Sequence, residues 1–599
     1  MSAAPANDAP GHRLSFPELE REIWVREAET VFQSARRHGL RIVGACGGRG
    51  SCGTCIVRIA PSPNEPDPGG TKWERACQMQ LRCDGVAQLA PRSLAPVERA
   101  DADLVAVDEA LVLDPAVTTC DLQLASATLG DNASDAERVL RALKVPATHI
   151  DLLAARALPT LLRQGAWTLR VLQRGAELTG FACPGSRSLG LAVDLGTTNI
   201  AAFLIDLETG ERVARAGLEN PQAAWGADLI SRINHAVLSD AAAQALREAV
   251  VLGINALAQD LCRAVGAQTQ HIVDAVQGGN TAMQHLLAGL PVAQLGRAPF
   301  VGALRSAMDL KARDLGLKLG GGAWVHLPGG IGGFVGGDHV SALLATRARW
   351  QGCSTSLVMD IGTNTEISLM HQGQIHSASC PSGPALEGGH ISCGMRAALG
   401  AIENVSLVDG DIVARTLGGV EAVGLCGSGV LDAVAVLRRA QILNAGGRLV
   451  AQHRHVRQLG SVRAAELAPG VFFTQDDVRA VQLAKAAIRT GVELLLREQG
   501  LQERDIERFI IAGAFGAYID VASGVDIGLF PALPMERFEQ VGNAAGLGVR
   551  QMLCNAPSRL LAAQIADKAS YVELSTRREF QKTFLRHIAF PEYPERTPP

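Results

Sequence analysis

The stretch LAVDLGTTNIAAFLIDLETGE, residues 191–211, consists of two apolar runs joined by the short polar turn GTTN. A second stretch with the same pattern, LVMDIGTNTEISLMHQGQ, occupies residues 357–374. In both stretches an apolar run ends in Asp, a Gly and two small hydroxyl or amide residues follow, and a second apolar run begins. This repetition predicts two similar halves, each with a β-hairpin whose tight turn presents backbone N–H groups and hydroxyls.

The two turns have the chemistry of a phosphate site. Backbone N–H groups and hydroxyls hold anionic oxygens, and a carboxylate at the end of each strand can hold Mg²⁺ through its waters. The predicted nucleotide-binding residues are Asp194, Gly196, Thr197 and Thr198 in the first turn and Asp360, Gly362, Thr363 and Asn364 in the second. Two unrelated β-turns are the alternative. The pair resembles the phosphate loops of the actin, Hsp70 and sugar-kinase superfamily, which implies ATP and Mg²⁺ between two RNase-H-like halves.

Three further phrases extend this nucleotide site. FIIAGAFGAY, residues 509–518, is similar to the adenosine motif of that superfamily and adds Gly513, Ala514 and Gly516. LCGSGVLDAVAVL, residues 425–437, places Gly427, Ser428 and Gly429 before a helix, where they could bind phosphate or simply allow close helix packing. Asp338 begins a helix in GGFVGGDHVSALLA. The resemblance implies a catalytic acid that orients water or an acceptor, and an N-cap without chemistry is equally compatible with the sequence.

A cysteine cluster near the N-terminus indicates a metal centre. CGGRGSCGTC, residues 46–55, contains three of the chain's 13 cysteines, and RACQ supplies a fourth. The predicted ligands of a [2Fe-2S] cluster are Cys46, Cys52, Cys55 and Cys77. Three close thiols plus one distant thiol are typical of ferredoxins, although the first gap is one residue longer than in the plant type. A structural zinc site, thiols without metal, and Cys83 as the fourth ligand are the alternatives.

These motifs predict a multidomain α+β and α/β protein. We expect a tail at residues 1–11, a β-grasp-like [2Fe-2S] ferredoxin domain at 12–95, a linker at 96–119, and a small helical middle domain at 120–186 with Ser134 as an N-cap. The nucleotide-binding domain should follow at 187–590, with halves at about 189–345 and 355–590.

The amino-acid composition limits which binding partners and which cellular compartment we expect. The formal net charge is −4, so the sequence shows no basic footprint for nucleic acid and no polybasic patch for anionic lipid. No run of about 18 uncharged apolar residues occurs, and the start MSAAPANDAPGHR lacks the pattern of a secretory signal. We therefore expect a cytoplasmic protein that binds neither nucleic acid nor membrane.

The order of the modules resembles that of the reductive activators of corrinoid-dependent methyltransferases. The resemblance rests on CGGRGSCGTC, RACQ, DLGTT, NPQ, SRI, GGN, DIGTN, GPALEGG, QLAKAAI and AGAFG, in that order. It implies an ATP-hydrolysing activator that passes a low-potential electron from its cluster to the Co(II) corrinoid of a partner protein and restores Co(I). It also implies an upstream electron donor and a possible homodimer. The chain has no D-x-H-x-x-G motif, so the corrinoid should belong to the partner.

Three other functions fit parts of the sequence. An ATP-dependent activator of radical enzymes, of the hydroxyacyl-CoA dehydratase type, shares the nucleotide fold but carries its cluster within that fold. A metabolite kinase with a ferredoxin as redox sensor would phosphorylate a small molecule. An electron carrier whose cleft only switches binding would not turn over ATP. The separate cysteine head at residues 46–77 argues against the first of these.

Overall fold

The structure is a computed structural model. It describes residues 10–17, 21–27, 29–38, 40, 42, 55–61, 74–89, 111–226, 228–513 and 515–592. The predicted ligands Cys46 and Cys52, the predicted adenosine-motif residue Ala514, and most of the predicted tail and linker lie outside the described residues. Within these ranges, no helix is both long and apolar enough to span a bilayer.

The N-terminal unit is a mixed sheet with a helix packed against it, as expected for a β-grasp ferredoxin. Its described elements are β1 (Gly11–Phe16), β2 (Arg21–Arg26), α1 (Val31–Arg37), β3 (Ile56–Pro61), β4 (Glu74–Arg75) and β5 (Gly85–Leu89). The strand order is β2-β1-β5-β3-β4, with β1 and β5 parallel at the centre. Leu14, Val25 and Phe32 fill the core between sheet and helix, and Cys55 and Cys77 are buried in the same core.

The next unit contains both predicted helices and a sheet. Its elements are β6 (Val117–Gln123), α2 (Asp135–Ala142), β7 (His149–Ile150), α3 (Leu152–Gln164), β8 (Thr168–Arg174) and β9 (Glu177–Ala182). The N-cap prediction is confirmed, because the Ser134 hydroxyl accepts from the Glu137 N–H. The prediction of a small helical domain is incomplete, because four strands also pair there in the order β6-β8-β9-β7. Burial alternates along β8, and this two-residue period is the signal that was missed.

The first half of the large domain is built on one six-stranded sheet. Its elements are β10 (Leu189–Leu195), β11 (Asn199–Asp206), β12 (Arg212–Glu219), α4 (Leu229–Ala236), α5 (Asp240–Ala264), β13 (Ile272–Gly279), α6 (Thr281–Ala288), β14 (Met308–Lys311), β15 (Trp324–Leu327), α7 (Gly337–Ala345) and α8 (Arg347–Trp350). The strand order is β12-β11-β10-β13-β15-β14. Three antiparallel strands are thus followed by two strands, β13 and β15, that run parallel to β10.

The second half repeats this plan with additions. Its elements are β16 (Thr355–Ile361), β17 (Thr365–His371), β18 (Gln374–Cys380), β19 (Ala401–Val408), β20 (Asp411–Thr416), β21 (Gly424–Leu425), α9 (Gly427–Arg439), β22 (Val456–Leu459), β23 (Val462–Ala468), β24 (Val471–Thr474), α10 (Gln475–Glu498), β25 (Arg508–Ala512), α11 (Val521–Asp526), β26 (Phe538–Gly542), α12 (Ala544–Cys554), α13 (Ala556–Lys568), β27 (Ala569–Tyr571) and α14 (Phe580–Ile588). The order β18-β17-β16-β25-β26 reproduces β12-β11-β10-β13-β15, and β27 extends the sheet beside β18.

Helix α7 of the first half crosses helix α12 of the second half at very short range. A methyl group built on Gly548 of α12 would collide with the main-chain carbonyl of Ser341 in α7, so the two backbones touch there. Val340 and Val549 belong to one core cluster with Val358 of the second sheet. Because α7 follows β15 and α12 follows β26, this crossing fixes where the N-termini of both helices lie relative to the two sheets.

The crossing predicts a steric limit at Gly548. Gly548→Ala should lower the free energy of unfolding by about 1–3 kcal/mol, because a methyl group between two backbones forces the helices apart. Urea denaturation monitored by circular dichroism measures the change. Gly130→Ala is the matched control, because nothing lies within 4 Å of the added methyl group. Equal stability of the two variants would contradict the close crossing.

Candidate functional site

Three partly buried carboxylates lie near one another where the halves face each other. Asp194 lies near the end of β10, Asp360 near the end of β16, and Asp338 is the second residue of α7. Burial raises the pKa of Asp194 to about 6. Burial and the charge of Asp194 raise the pKa of Asp338. Burial, Asp338 and Asp194 together raise the pKa of Asp360 to about 8. The charges of the three groups therefore act on one another, although among the described residues no three acidic, His or Cys side chains lie close enough to ligate one metal ion directly. Oxygen donors at this separation suit a Mg²⁺ ion held through its waters.

A fourth carboxyl group, on Glu366, joins this cluster and was missed in the sequence. Glu366 lies directly opposite Asp360 in the β16–β17 hairpin, and the Ser379 hydroxyl donates to it. Burial and the charges of Asp338 and Asp360 raise its pKa well above the usual range. An acidic residue inside the predicted strand TEISLM was the available signal.

The alternative interpretation of Asp338 as an N-cap is wrong. The N-cap position of α7 is Gly336, which lies one residue before the helix begins. The Asp338 carboxylate accepts a 2.8 Å hydrogen bond from the N–H of its neighbour His339. Asp338 thus belongs to the carboxylate cluster, and capping does not account for its position.

The two predicted phosphate turns contact each other. The hydroxyls of Thr198 and Thr363 lie 2.7 Å apart, so a side chain from each half takes part in one hydrogen bond. The second turn is closed by the Gly362 N–H, which donates to the Asn364 carbonyl at 3.1 Å. Both turns thus face the same point, which is the geometry needed to bind one anionic chain between them.

Buried polar residues brace the first turn. The Asn220 side chain donates to the Gly196 carbonyl at 2.9 Å, and the Asn280 side chain donates to the Thr197 hydroxyl at 3.0 Å. The Arg232 guanidinium donates to the Thr197 carbonyl. These three residues come from the phrases NPQ, SRI and GGN of the sequence, and their side chains are almost fully buried. All three side chains act on oxygen atoms of the turn, so they brace it without using its N–H groups.

The glycines of the other motifs have separate roles. Gly513 adopts a φ of +98°, and a Cβ there would lie 3.0 Å from a carboxylate oxygen of Asp360. The Gly516 carbonyl accepts from the Gln540 side chain at 2.7 Å.

At the start of α9, Gly427 lies against the Phe515 ring of the adenosine motif. The Ser428 hydroxyl donates to the Glu403 carbonyl at 2.8 Å, and Gly429 packs on the Ile402 carbonyl. These contacts favour the packing interpretation for Ser428 and Gly429.

The described cysteines of the head fit a shared cluster. The Ala76 N–H donates to the Cys55 carbonyl at 2.7 Å, and β3 pairs with β4 just beyond, which brings Cys77 beside Cys55. Both cysteines are buried in the head core, whereas Cys83 is exposed. Burial beside Cys55 favours Cys77 over Cys83 as the fourth ligand, and two adjacent thiols suit iron-sulfur ligation.

Family comparisons match four separate segments of the chain between residue 17 and residue 598. Four family models match in order: the 2Fe-2S iron-sulfur cluster binding domain at residues 17–82, the RACo linker region at 106–183, the RACo middle region at 189–349, and the C-terminal domain of RACo, the ASKHA domain, at 354–598. The corrinoid activation enzyme RamQ of Eubacterium limosum is 32% identical over 602 residues, 96% of this chain and 99% of the relative.

The chain belongs to the RACo family of corrinoid activators. A solved structure, a reductive activator for corrinoid, iron-sulfur protein, matches 97% of this chain and 98% of its own length with a TM-score of 0.75 at 29% identity. The reductase of a methylated amine-specific Co(II) corrinoid protein from Methanosarcina barkeri is 26% identical over 67% of this chain and 77% of the relative. The RACo family match confirms the fold predicted from the paired hairpins and the cysteine head.

The carboxylate cluster predicts a pH dependence of stability in metal-free protein. A carboxyl group whose pKa is raised on folding binds more protons when folded, so stability falls as pH rises from the unfolded pKa through the folded one. In EDTA, the wild type should lose stability as the pH rises from about 4 to about 8. Asp360→Asn should lose on the order of 1–3 kcal/mol less, since it lacks the group with a pKa of about 8.

Thermal and urea unfolding across this pH range measure the difference. Asp567→Asn is the control, because Asp567 is largely exposed and pairs only at 3.5 Å with Arg305. This variant should keep the wild-type pH dependence. If Asp360→Asn behaved in the same way as Asp567→Asn, the three carboxylates would not repel one another in the folded protein.

Proposed function

We propose that this protein is an ATP-dependent reductive activator. It binds Mg-ATP between its two halves and delivers a low-potential electron from its N-terminal head to the Co(II) corrinoid of a partner protein, which returns to Co(I). The observation that carries this proposal is the convergence of two phosphate turns and three carboxylates in a chain that also carries a [2Fe-2S] binding domain. The names of the relatives support the corrinoid protein as partner.

The energetics explain why a nucleotide is needed. When bound by Cys46, Cys52, Cys55 and Cys77, the cluster supplies one-electron chemistry near ~−400 mV. The Co(II)/Co(I) couple generally lies lower, and each ~59 mV of mismatch costs about 1.4 kcal/mol for one electron. A protein can offset this cost if its nucleotide-bound state binds the corrinoid protein in a form that is easier to reduce. An external low-potential donor must replace the electron after each delivery.

The cleft residues have separable roles in this proposal. The N–H groups and hydroxyls of the two turns bind the phosphates, and Asp194 and Asp360 hold Mg²⁺ through its waters. Asp338 orients the attacking water and accepts its proton. Burial and the neighbouring Asp194 raise the pKa of Asp338, which makes its carboxylate a better proton acceptor than an exposed Asp.

The unit at 111–183 is tied to the first half by ion pairs. Asp151 accepts from Arg313 at 2.8 Å and from Lys311 at 3.2 Å, and Arg174 pairs with Asp309 at 2.7 Å. Just before β6, the Asp114 N–H donates to the Cys554 carbonyl at 2.8 Å, where α12 meets α13. A rotation of the halves around the helix crossing would therefore move the residues through which the chain comes from the head.

Electron delivery and nucleotide binding should be lost by different substitutions. Cys77→Ser should abolish the visible spectrum of the cluster and Co(I) formation, because a ligand is lost, and ATP affinity should remain. Cys83→Ser is the matched control and should keep the spectrum and the activity, because Cys83 is exposed. Absorption spectra and ATP titrations measure both properties. Loss of the cluster in Cys83→Ser with retention in Cys77→Ser would reverse the ligand assignment.

The overall activity is tested with anaerobic protein, a reduced low-potential donor, Mg-ATP and a corrinoid protein held as Co(II). The Co(I) absorption band should appear only when ATP and the cluster are both present. Asp338→Asn should bind ATP with an affinity within about threefold of the wild type but hydrolyse it about 100-fold more slowly, the usual contribution of a general base. ATP-dependent phosphorylation of a small molecule without Co(I) formation would favour the metabolite kinase instead.

A further inference from the structure

Glu387 lies where the two phosphate turns touch. It ends the short helical turn Pro384–Glu387 that follows β18. Each of its two carboxylate oxygens lies 3.3 Å from the Thr363 hydroxyl, and the Thr198 hydroxyl also hydrogen-bonds to it. A Cβ on Gly362 would lie 3.8 Å from Glu387 Oε1. A carboxylate of the protein therefore already occupies the point at which hydroxyls from both halves converge.

An arginine completes this arrangement. The charge of Arg396 acts on the Glu387 carboxylate, and Arg396 Nη2 lies 3.6 Å from Glu219 Oε1 at the end of β12 in the first half. The Arg396 side chain is mostly buried, and its Nη2 has no hydrogen-bond partner among the described residues. Nη2 therefore contacts Glu219 only at ion-pair distance, and a guanidinium held in this way can bind phosphate.

Two threonine hydroxyls, an N–H-rich turn and an arginine are the groups that proteins use to bind phosphate. We propose that Thr198, Thr363 and Arg396 form the subsite for the terminal phosphate of the nucleotide, and that the Glu387 carboxylate fills this subsite until a triphosphate displaces it. This inference rests on the proposed function, because it takes ATP as the ligand. The terminal phosphate then accepts from both hydroxyls and from Arg396 Nη2, and Glu387 leaves the contact.

Displacement follows from electrostatics. Two anions cannot share one set of donors in a poorly hydrated site, because each raises the free-energy cost of placing the other there. The turn that carries Glu387 is bounded by Gly383 and Gly388, both with positive φ, and a Cβ on Gly383 would meet nothing within 4 Å. The turn therefore has room at its start to move. A diphosphate is one phosphate shorter and leaves Glu387 in place, so Glu387 distinguishes ATP from ADP.

The test compares nucleotide affinities of the full chain and its variants. Glu387→Gln keeps the shape of the side chain and removes the competing charge. In the presence of Mg²⁺, this variant should bind the non-hydrolysable triphosphate AMPPNP about tenfold more tightly than the wild type, equivalent to about 1.4 kcal/mol. Its affinities for ADP and for adenosine should stay within about twofold. Glu493→Gln is the matched control, since Glu493 is also half-buried and paired with an arginine, and it lies in α10.

A second variant tests the other side of the exchange. Arg396→Gln should weaken AMPPNP binding about tenfold and leave ADP binding within about twofold, because only the terminal phosphate accepts a hydrogen bond from Arg396 Nη2. Equal weakening of both nucleotides would place Arg396 elsewhere and overturn the subsite. An unchanged affinity for adenosine shows that a variant is folded. If Glu387→Gln no longer binds adenosine, the nucleotide affinities of Arg396→Gln test the subsite on their own.

The outcomes separate this inference from the proposed function. If the wild type binds AMPPNP and Glu387→Gln binds it no more tightly, the displacement is wrong and the nucleotide site stands. If the wild type binds no adenine nucleotide, the proposed function and this inference both fail. Isothermal titration calorimetry on metal-supplemented, anaerobic protein gives all the affinities.

Discussion

The site depends on mutual repulsion among partly buried carboxylates. Asp194 and Asp338 raise the pKa of Asp360, and Asp194 raises that of Asp338, an arrangement that costs free energy without a cation or protons between them. The surrounding structure keeps them in place through rigid elements: two strand ends, and a helix whose start is fixed by the crossing with α12. Strain of this kind is retained at sites where a ligand later relieves it.

Much of this arrangement could be predicted from the sequence, because it depends on local pattern. The paired hairpins repeat an apolar strand, an Asp and a small-residue turn, and such short-range signals survive in one sequence. Ser134 was likewise recognisable as a cap. The sheet around β8 was missed because helix-like apolar spacing nearby dominated the interpretation. Glu387 was missed as an active side chain because its position depends on a contact between residues 24 positions apart, which no periodicity reports.

The bracing of the first turn shows how polar residues far apart in the chain serve one purpose. Asn220, Arg232 and Asn280 come from three separate elements, and each uses its side chain on the turn at 196–198. Buried and fully engaged polar groups rigidify a site more than apolar packing does, since each lost partner leaves an unsatisfied group. The shape of the turn is therefore fixed by the protein's own side chains.

The two halves share a plan, yet they hold the unit at 111–183 in different ways. Asp151 pairs with Lys311 and Arg313 of the first half, whereas the backbone of Asp114 bonds to Cys554 and Ala556 of the second half. The second half also carries two extra three-stranded sheets. The two halves therefore differ in what each adds to the shared sheet. The unit at 111–183 thus bridges the two halves, so any change in the angle between them would turn its ion-paired end at Asp151 relative to its backbone-bonded end at Asp114.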